Sequence, residues 1–135
     1  MKSKTLKFAL LIFLSINLIS CAQNTKTNSK DEVVSLISPE ELNSKMDSIQ
    51  LIDVRTPKEY KEGHLKNAVN INFYDNTFLE EMSKLDKSKE LYIYCRSGNR
   101  SGKAAKKLGE MGFTKVYDLE GGIILWNKKS LEVIK

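Results

Sequence analysis

Histidine and cysteine are scarce in these 135 residues: one His, at position 64, and two Cys, at positions 21 and 95. Two cysteines are too few for a disulfide framework. Neither has a neighbouring thiol to resolve a thioredoxin-like exchange, and without a second His or Cys close by in sequence His64 offers no zinc site. A surplus of one charge is also missing. There are 22 Lys and Arg against 17 Asp and Glu, and three of the 22, Lys2, Lys4 and Lys7, lie in the first seven residues, leaving 19 against 17. The remaining lysines are spread along the chain, so the basic stripe of a nucleic-acid binder is absent and no nucleic-acid partner is expected. No internal repeat is present. A hydrophobic content of 41 % over this length suits one domain around a single packed core.

The longest apolar run, Phe8 to Ile19, falls short of the roughly 20 residues that span a membrane. Behind the basic start Met1 to Lys7 it reads as a secretory signal peptide over residues 1–20. The run ends in Leu18-Ile19-Ser20-Cys21, which resembles the lipobox of bacterial lipoproteins. That resemblance implies a lipidated Cys21 as first mature residue, a membrane partner for the lipid, and a place in the cell envelope facing the periplasm or the exterior. Two or more acyl chains give a stable anchor, at about 0.8 kcal/mol per buried methylene, where one chain is marginal. Residues 21–32 carry no apolar periodicity and read as a tether that keeps the domain, residues 33–135, on the order of 20 Å from the bilayer. With Cys21 lipidated, Cys95 is the one remaining thiol. It is then not half of a structural disulfide, and any sulfur it carries must pass to an external acceptor.

From Val33 the pattern alternates. Strands are expected at Val33–Ile37, Gln50–Val54, Val69–Ile71, Leu91–Tyr94 and Lys115–Leu119, with helices between them. The two prolines mark two helix starts: Ser38-Pro39-Glu40-Glu41 and Thr56-Pro57-Lys58-Glu59 each place a hydroxyl at the N-cap, Pro at the first helical position and Glu as the closing member of a capping box. Gly63 is placed to terminate the second of these helices. A further helix falls near Phe78–Leu85. Ser101–Met111 sets Ala104, Ala105, Leu108 and Met111 on one face and Lys103, Lys106 and Lys107 mostly on the other. Strands separated by helices require crossover connections, hence an α/β fold with a central, mostly parallel five-stranded sheet covered on both faces. Ligands of such sheets bind beyond the carboxyl ends of the strands, where Asp53-Val54-Arg55 and Cys95 both fall.

Cys95 stands where a strand ends and a helix begins, among backbone N–H groups without partners and in the positive field of the helix dipole. Such a position stabilises the thiolate, the reactive form of the side chain, and Arg96 and Arg100 add positive field for an anionic substrate. Cys95-Arg96-Ser97-Gly98-Asn99-Arg100 resembles the active-site loop of the rhodanese family of thiosulfate-type sulfurtransferases. Asp53-Val54-Arg55, Glu59-Tyr60, Gly63-His64-Leu65 and Ala68-Val69-Asn70-Ile71 resemble the first half of that family's domain. Gly112-Phe113, Val116-Tyr117, Leu119, Gly121-Gly122 and Trp126 resemble its closing segment.

The resemblance implies a rhodanese-like fold and a sulfurtransferase. Cys95 would take the sulfane sulfur of thiosulfate or a similar donor as a persulfide and release it to cyanide or a thiol. No cofactor beyond that covalent intermediate, and no metal, is expected, and the protein is expected to act as a monomer. Backbone N–H groups from Arg96 to Arg100 would curl toward the persulfide, with Gly98 permitting the curl. Ser97 and Asn99 would contribute mainly through those groups. Arg96 would face the mouth and attract the donor, while Arg100 either lines the loop as a substrate contact or pairs with a carboxylate beneath it. Asp53 and Arg55 resemble the family's structural ion pair near the loop. His64 is read as fixing a turn by hydrogen bonding, and Phe113 and Trp126 as core. A six-residue loop, Cys95 to Arg100, is typical of the sulfur-handling members, whereas phosphatase relatives carry one residue more. Two other readings stay open: a non-catalytic persulfide carrier or sulfur-sensing module, and arsenate-reductase or phosphatase-type chemistry at the same cysteine. Asn72 departs from the family pattern, which has proline there, and leaves the shape of the next loop undetermined.

Overall fold

A computed structural model describes residues 32–135. The expected signal segment, the expected lipidation site Cys21 and the expected tether up to Asp31 lie outside the described residues. Five strands, β1 (Val34–Ile37), β2 (Gln50–Asp53), β3 (Val69–Asn70), β4 (Leu91–Tyr94) and β5 (Val116–Leu119), form one sheet in the order β1-β5-β4-β2-β3, with every pairing parallel. Helices α1 (Pro39–Lys45), α2 (Pro57–Glu62), α3 (Phe78–Ser83), α4 (Asn99–Glu110) and α5 (Gly122–Lys128) fill the connections and the C-terminal segment.

Period-two alternation along the central strand builds two cores. Leu91, Ile93 and Cys95 point to one face, where Phe78, Met82, Ala104, Ala105 and Leu108 cover them. Tyr92 and Tyr94 point to the other, against Leu42, Leu65, Ile123 and Trp126. Every residue of β4 is buried, as a strand flanked on both sides in a covered parallel sheet must be. The expected strand boundaries hold to within a residue, and α4 begins two residues earlier than its apolar stripe indicates. The two prolines behave differently. Thr56 and Glu59 complete a reciprocal capping box on α2, but at Ser38 only the hydroxyl half forms, with Glu41 turned toward Lys45. α5 was not anticipated.

Topology selects the functional end of the sheet. After β2 the chain passes to β3 on one side, and after β4 it passes to β5 on the other, so adjacent strands β2 and β4 send their connections in opposite directions. A crevice opens at such a switch point, beyond the carboxyl ends. Asp53-Val54-Arg55 and Cys95 flank it.

Candidate active site

Cys95 follows β4, and the loop it opens ends as α4 begins at Asn99. Gly98, at φ +98°, turns the backbone back on the sulfur and donates its N–H to Cys95 Sγ at 3.1 Å. A Cβ at Gly98 would meet nothing within 4 Å, so glycine is required by the dihedral alone and not by crowding. Ser101 donates its hydroxyl to Sγ at 3.4 Å. Burial opposes the thiolate, yet hydrogen bonds from the Ser101 hydroxyl and from the N–H groups of Ser101, Ser97 and Gly98 outweigh it and hold the thiol below its ordinary range. The amides at the sulfur are thus those of 97, 98 and 101, three groups in a span shifted one residue from the Arg96–Arg100 span read from sequence. Only 1 % of Cys95 is exposed. The sulfur therefore lies at the bottom of its loop and favours small reagents.

α5 supports the loop from behind. Ile123 N–H donates to the carbonyl of Cys95 at 3.0 Å and Ile124 N–H to that of Arg96 at 3.1 Å, which turns those carbonyls away from the sulfur. So close an approach requires Gly122, where a Cβ would stand 2.6 Å from three backbone atoms of Cys95 and Arg96.

The two arginines of the loop have different surroundings. Arg96 is exposed, and its guanidinium has no hydrogen-bond or ion-pair partner among the described residues. Arg100 reaches across the crevice to α2 and binds both oxygens of Glu59 at 2.7 Å, while its guanidinium lies 5.6 Å from the Tyr74 ring centre. That pairing holds Glu59 at about 2, with Thr56 adding hydrogen bonds, and raises the pKa of Arg100, to which the charge of Cys95 also contributes. Arg100 braces the loop against α2 and keeps a positive charge near the sulfur.

Asp53 and Arg55 form a buried pair with Nη2 to Oδ2 at 2.6 Å. Arg55 also donates to the Gly63 carbonyl at 2.7 Å and lies over the Tyr94 ring, tying the ends of β2, α2 and β4 together without a bond to Cys95. His64 stacks on Tyr60, its Nδ1 lies 3.1 Å from the Tyr60 carbonyl, and its backbone pairs with Ile134. Phe113 and Trp126 are buried. In place of the expected proline, Asn72 builds its own turn, accepting from Tyr74 N–H and donating to Asp75; that turn presents Tyr74 to Arg100.

Sequence reasoning missed Ser101 as a partner of the sulfur, although a hydroxyl residue just past the loop, on the first turn of α4, was visible. It missed the buried Asp118 entirely.

A parallel sheet with a cysteine at its switch point, whose sulfur accepts from an amide and a hydroxyl, defines the class of α/β domain. The family model that matches is the Rhodanese-like domain, over residues 38–129. The chain belongs to the rhodanese family. It is similar to a sulfurtransferase of Allochromatium vinosum, 32 % identical over 105 residues, covering 76 % of this chain and 96 % of the relative. It is 37 % identical over 90 residues to thiosulfate sulfurtransferase 16, chloroplastic, of Arabidopsis thaliana, covering 59 % and 75 %. A match of 39 % over 87 residues to the tRNA uridine(34) hydroxylase of Escherichia coli covers 60 % of this chain and 24 % of that protein. Among solved structures, the rhodanese-related protein of Thermoplasma volcanium superposes with a TM-score of 0.66 at 30 % identity, covering 73 % of this chain and 95 % of that one.

Proposed function

We propose that this protein is a sulfurtransferase that carries sulfane sulfur as a persulfide on Cys95, with thiosulfate or a similar small anion as donor. The observation that carries the reading is the pair of short contacts to one sulfur, Gly98 N–H and Ser101 hydroxyl, under a six-residue loop tied to α2 by Arg100 and Glu59. The Cys95 thiolate attacks the outer sulfur of thiosulfate, the S–S bond breaks, and sulfite leaves with the electron pair. Cyanide or a thiolate then attacks the outer sulfur, becoming thiocyanate or a persulfide, and returns Cys95 as thiolate. The reading calls for no general base, because the hydrogen bonds at the sulfur favour the thiolate. Arg96 at the mouth, without a partner among the described residues, attracts the dianion. Sulfurtransferase relatives support the class, and the length of the loop favours sulfur over a tetrahedral oxyanion.

Incubation of the 33–135 domain with thiosulfate is expected to add the mass of one sulfur to Cys95, removable by cyanide and absent in Cys95→Ser. A domain that gains no sulfur from any sulfane donor overturns the reading. From its sequence we further propose a lipid on Cys21 that anchors the domain in the cell envelope. Palmitate labelling of the full chain, lost in Cys21→Ala, is the expected result.

A further inference from the structure

A buried carboxyl that the proposed reaction does not use lies beneath the first turn of α4, the helix that follows the Cys95 loop. Asp118 stands in β5, opposite Leu36 of β1 and Ile93 of β4, and alternation places its side chain on the same face as Val116, beneath α4. It is 5 % exposed, and its Oδ1 is buried with no hydrogen-bond partner among the described residues. A Cβ on Gly102 would sit 3.5 Å from its Oδ2, so the first turn of α4 runs directly over the carboxyl. Burial pushes its pKa up to about 6, and contact with the Ser101 hydroxyl draws it partly back. Ser101, the residue before Gly102 in that turn, is buried and gives its single hydroxyl proton to the sulfur of Cys95 at 3.4 Å.

The charged groups around this carboxyl are few. Lys106 of α4 and Glu32 line the neighbouring groove at the β1 edge, and Lys115 is held by the Glu32 carbonyl and the Ser35 hydroxyl. No charge from β1, β4 or α4 pairs with Asp118 among the described residues. The titratable group bonded to Ser101 is Cys95.

We propose that Asp118 is a positioning residue for sulfur transfer, acting through Ser101: its acid form directs the Ser101 proton to the Cys95 sulfur, and its carboxylate form withdraws it. In the acid form the carboxyl O–H donates to Ser101 Oγ, which leaves the hydroxyl proton for Sγ and stabilises both thiolate and persulfide anion. On ionisation the carboxyl proton leaves through the groove where Asp118 lies beside Glu32, Val34 and Leu36. The carboxylate then accepts the Ser101 proton and sets a second negative charge beside the sulfur. This role rests on the reading of Cys95 as the sulfur carrier, but its test uses no sulfur donor.

The rate of Cys95 carbamidomethylation by iodoacetamide, followed against pH in the wild-type domain, Asp118→Asn, Ser101→Ala and the double variant, decides the matter. Asparagine donates to Ser101 and cannot ionise, so Asp118→Asn is expected to lower the thiol midpoint and raise the rate at pH 7 about threefold to tenfold. Ser101→Ala raises the midpoint, and in its background the Asp118→Asn effect shrinks to less than about twofold. Superimposable profiles for wild type and Asp118→Asn, or an undiminished effect without Ser101, overturn the proposal. Should Asp118→Asn fail to fold, the carboxyl carbon titration of Asp118 serves instead. Its midpoint near 6 is expected to rise in Ser101→Ala, and an unmoved midpoint overturns the coupling. Sulfur loading with unchanged profiles removes only the role of Asp118; the expected profiles without sulfur loading remove only the sulfurtransferase reading.

Discussion

Replacing Gly122 with alanine measures how far the loop depends on the helix behind it. At φ +57° a side chain at this position is strained by about 1–2 kcal/mol. Its Cβ would also press to 2.6 Å on the Cys95 and Arg96 carbonyl oxygens and the Arg96 carbonyl carbon, backbone atoms that cannot swing aside, and overpacking of this kind costs about 1–3 kcal/mol. Together the loss of stability is expected to be about 2–5 kcal/mol. The hydrogen bonds from Ile123 and Ile124 must lengthen as the loop retreats, taking the Ser97 and Gly98 amides off the sulfur and raising the thiol. Gly112→Ala is the control. Its φ is +89°, nothing lies within 4 Å of the added carbon, and it follows α4 at the end away from Cys95. It is expected to lose about 1–2 kcal/mol with the thiol unmoved. Urea unfolding gives the stability, and the pH dependence of iodoacetamide labelling gives the thiol. A Gly122→Ala domain within about 0.5 kcal/mol of wild type and titrating identically, or a control that moves the thiol as far, refutes the reasoning.

Glu59 sits below its ordinary 4.5, at about 2. A depressed carboxyl stabilises the fold fully above the unfolded value and loses that contribution as pH falls through the folded one, so the window runs from about 4.5 down to 2. With Arg100 and Glu59 still 15 % and 25 % exposed, solvent screening reduces the worth of the pair to about 1 kcal/mol. Glu59→Gln is expected to be less stable than wild type by that amount at pH 7 and equal to it near pH 2 in urea midpoints; a gap that stays constant with pH contradicts the ion pair. Arg96→Ala is expected to lower kcat/KM for thiosulfate about threefold to tenfold and to flatten its salt dependence, with the larger part in KM. An unchanged salt dependence removes Arg96 from donor attraction.

What could be read from the sequence and what could not divide along physical lines. Elements whose signal is local were legible: Thr56-Pro57 with Glu59 announces a helix start because the cap and the box are satisfied within four residues, and Leu91–Tyr94 announces a strand because it is apolar on both faces. α5 was not legible, since Ile123, Ile124, Leu125 and Trp126 give no helical period, and its first N–H groups are satisfied by carbonyls of Cys95 and Arg96, some 28 residues earlier in the chain. The same distinction runs through the site. Cys95 and Gly98 form a contact three residues apart, within reach of any reading of the loop. Arg100 and Glu59 are 41 residues apart, so an arginine weighed between substrate and brace could be assigned its brace only once topology set α2 beside α4. Asp118 marks the limit: in sequence it is one more acidic residue at a strand end, and only the parallel pairing of β5 with β4 brings it under Ser101. In a domain of this kind the cysteine and the amides and hydroxyl at its sulfur are encoded locally, whereas the carboxylates packed against that loop, Glu59 and Asp118, are brought in by topology. Substitutions at Asp118 or Glu59 are therefore expected to change the reactivity of the thiol while the Cys95–Arg100 motif stays intact.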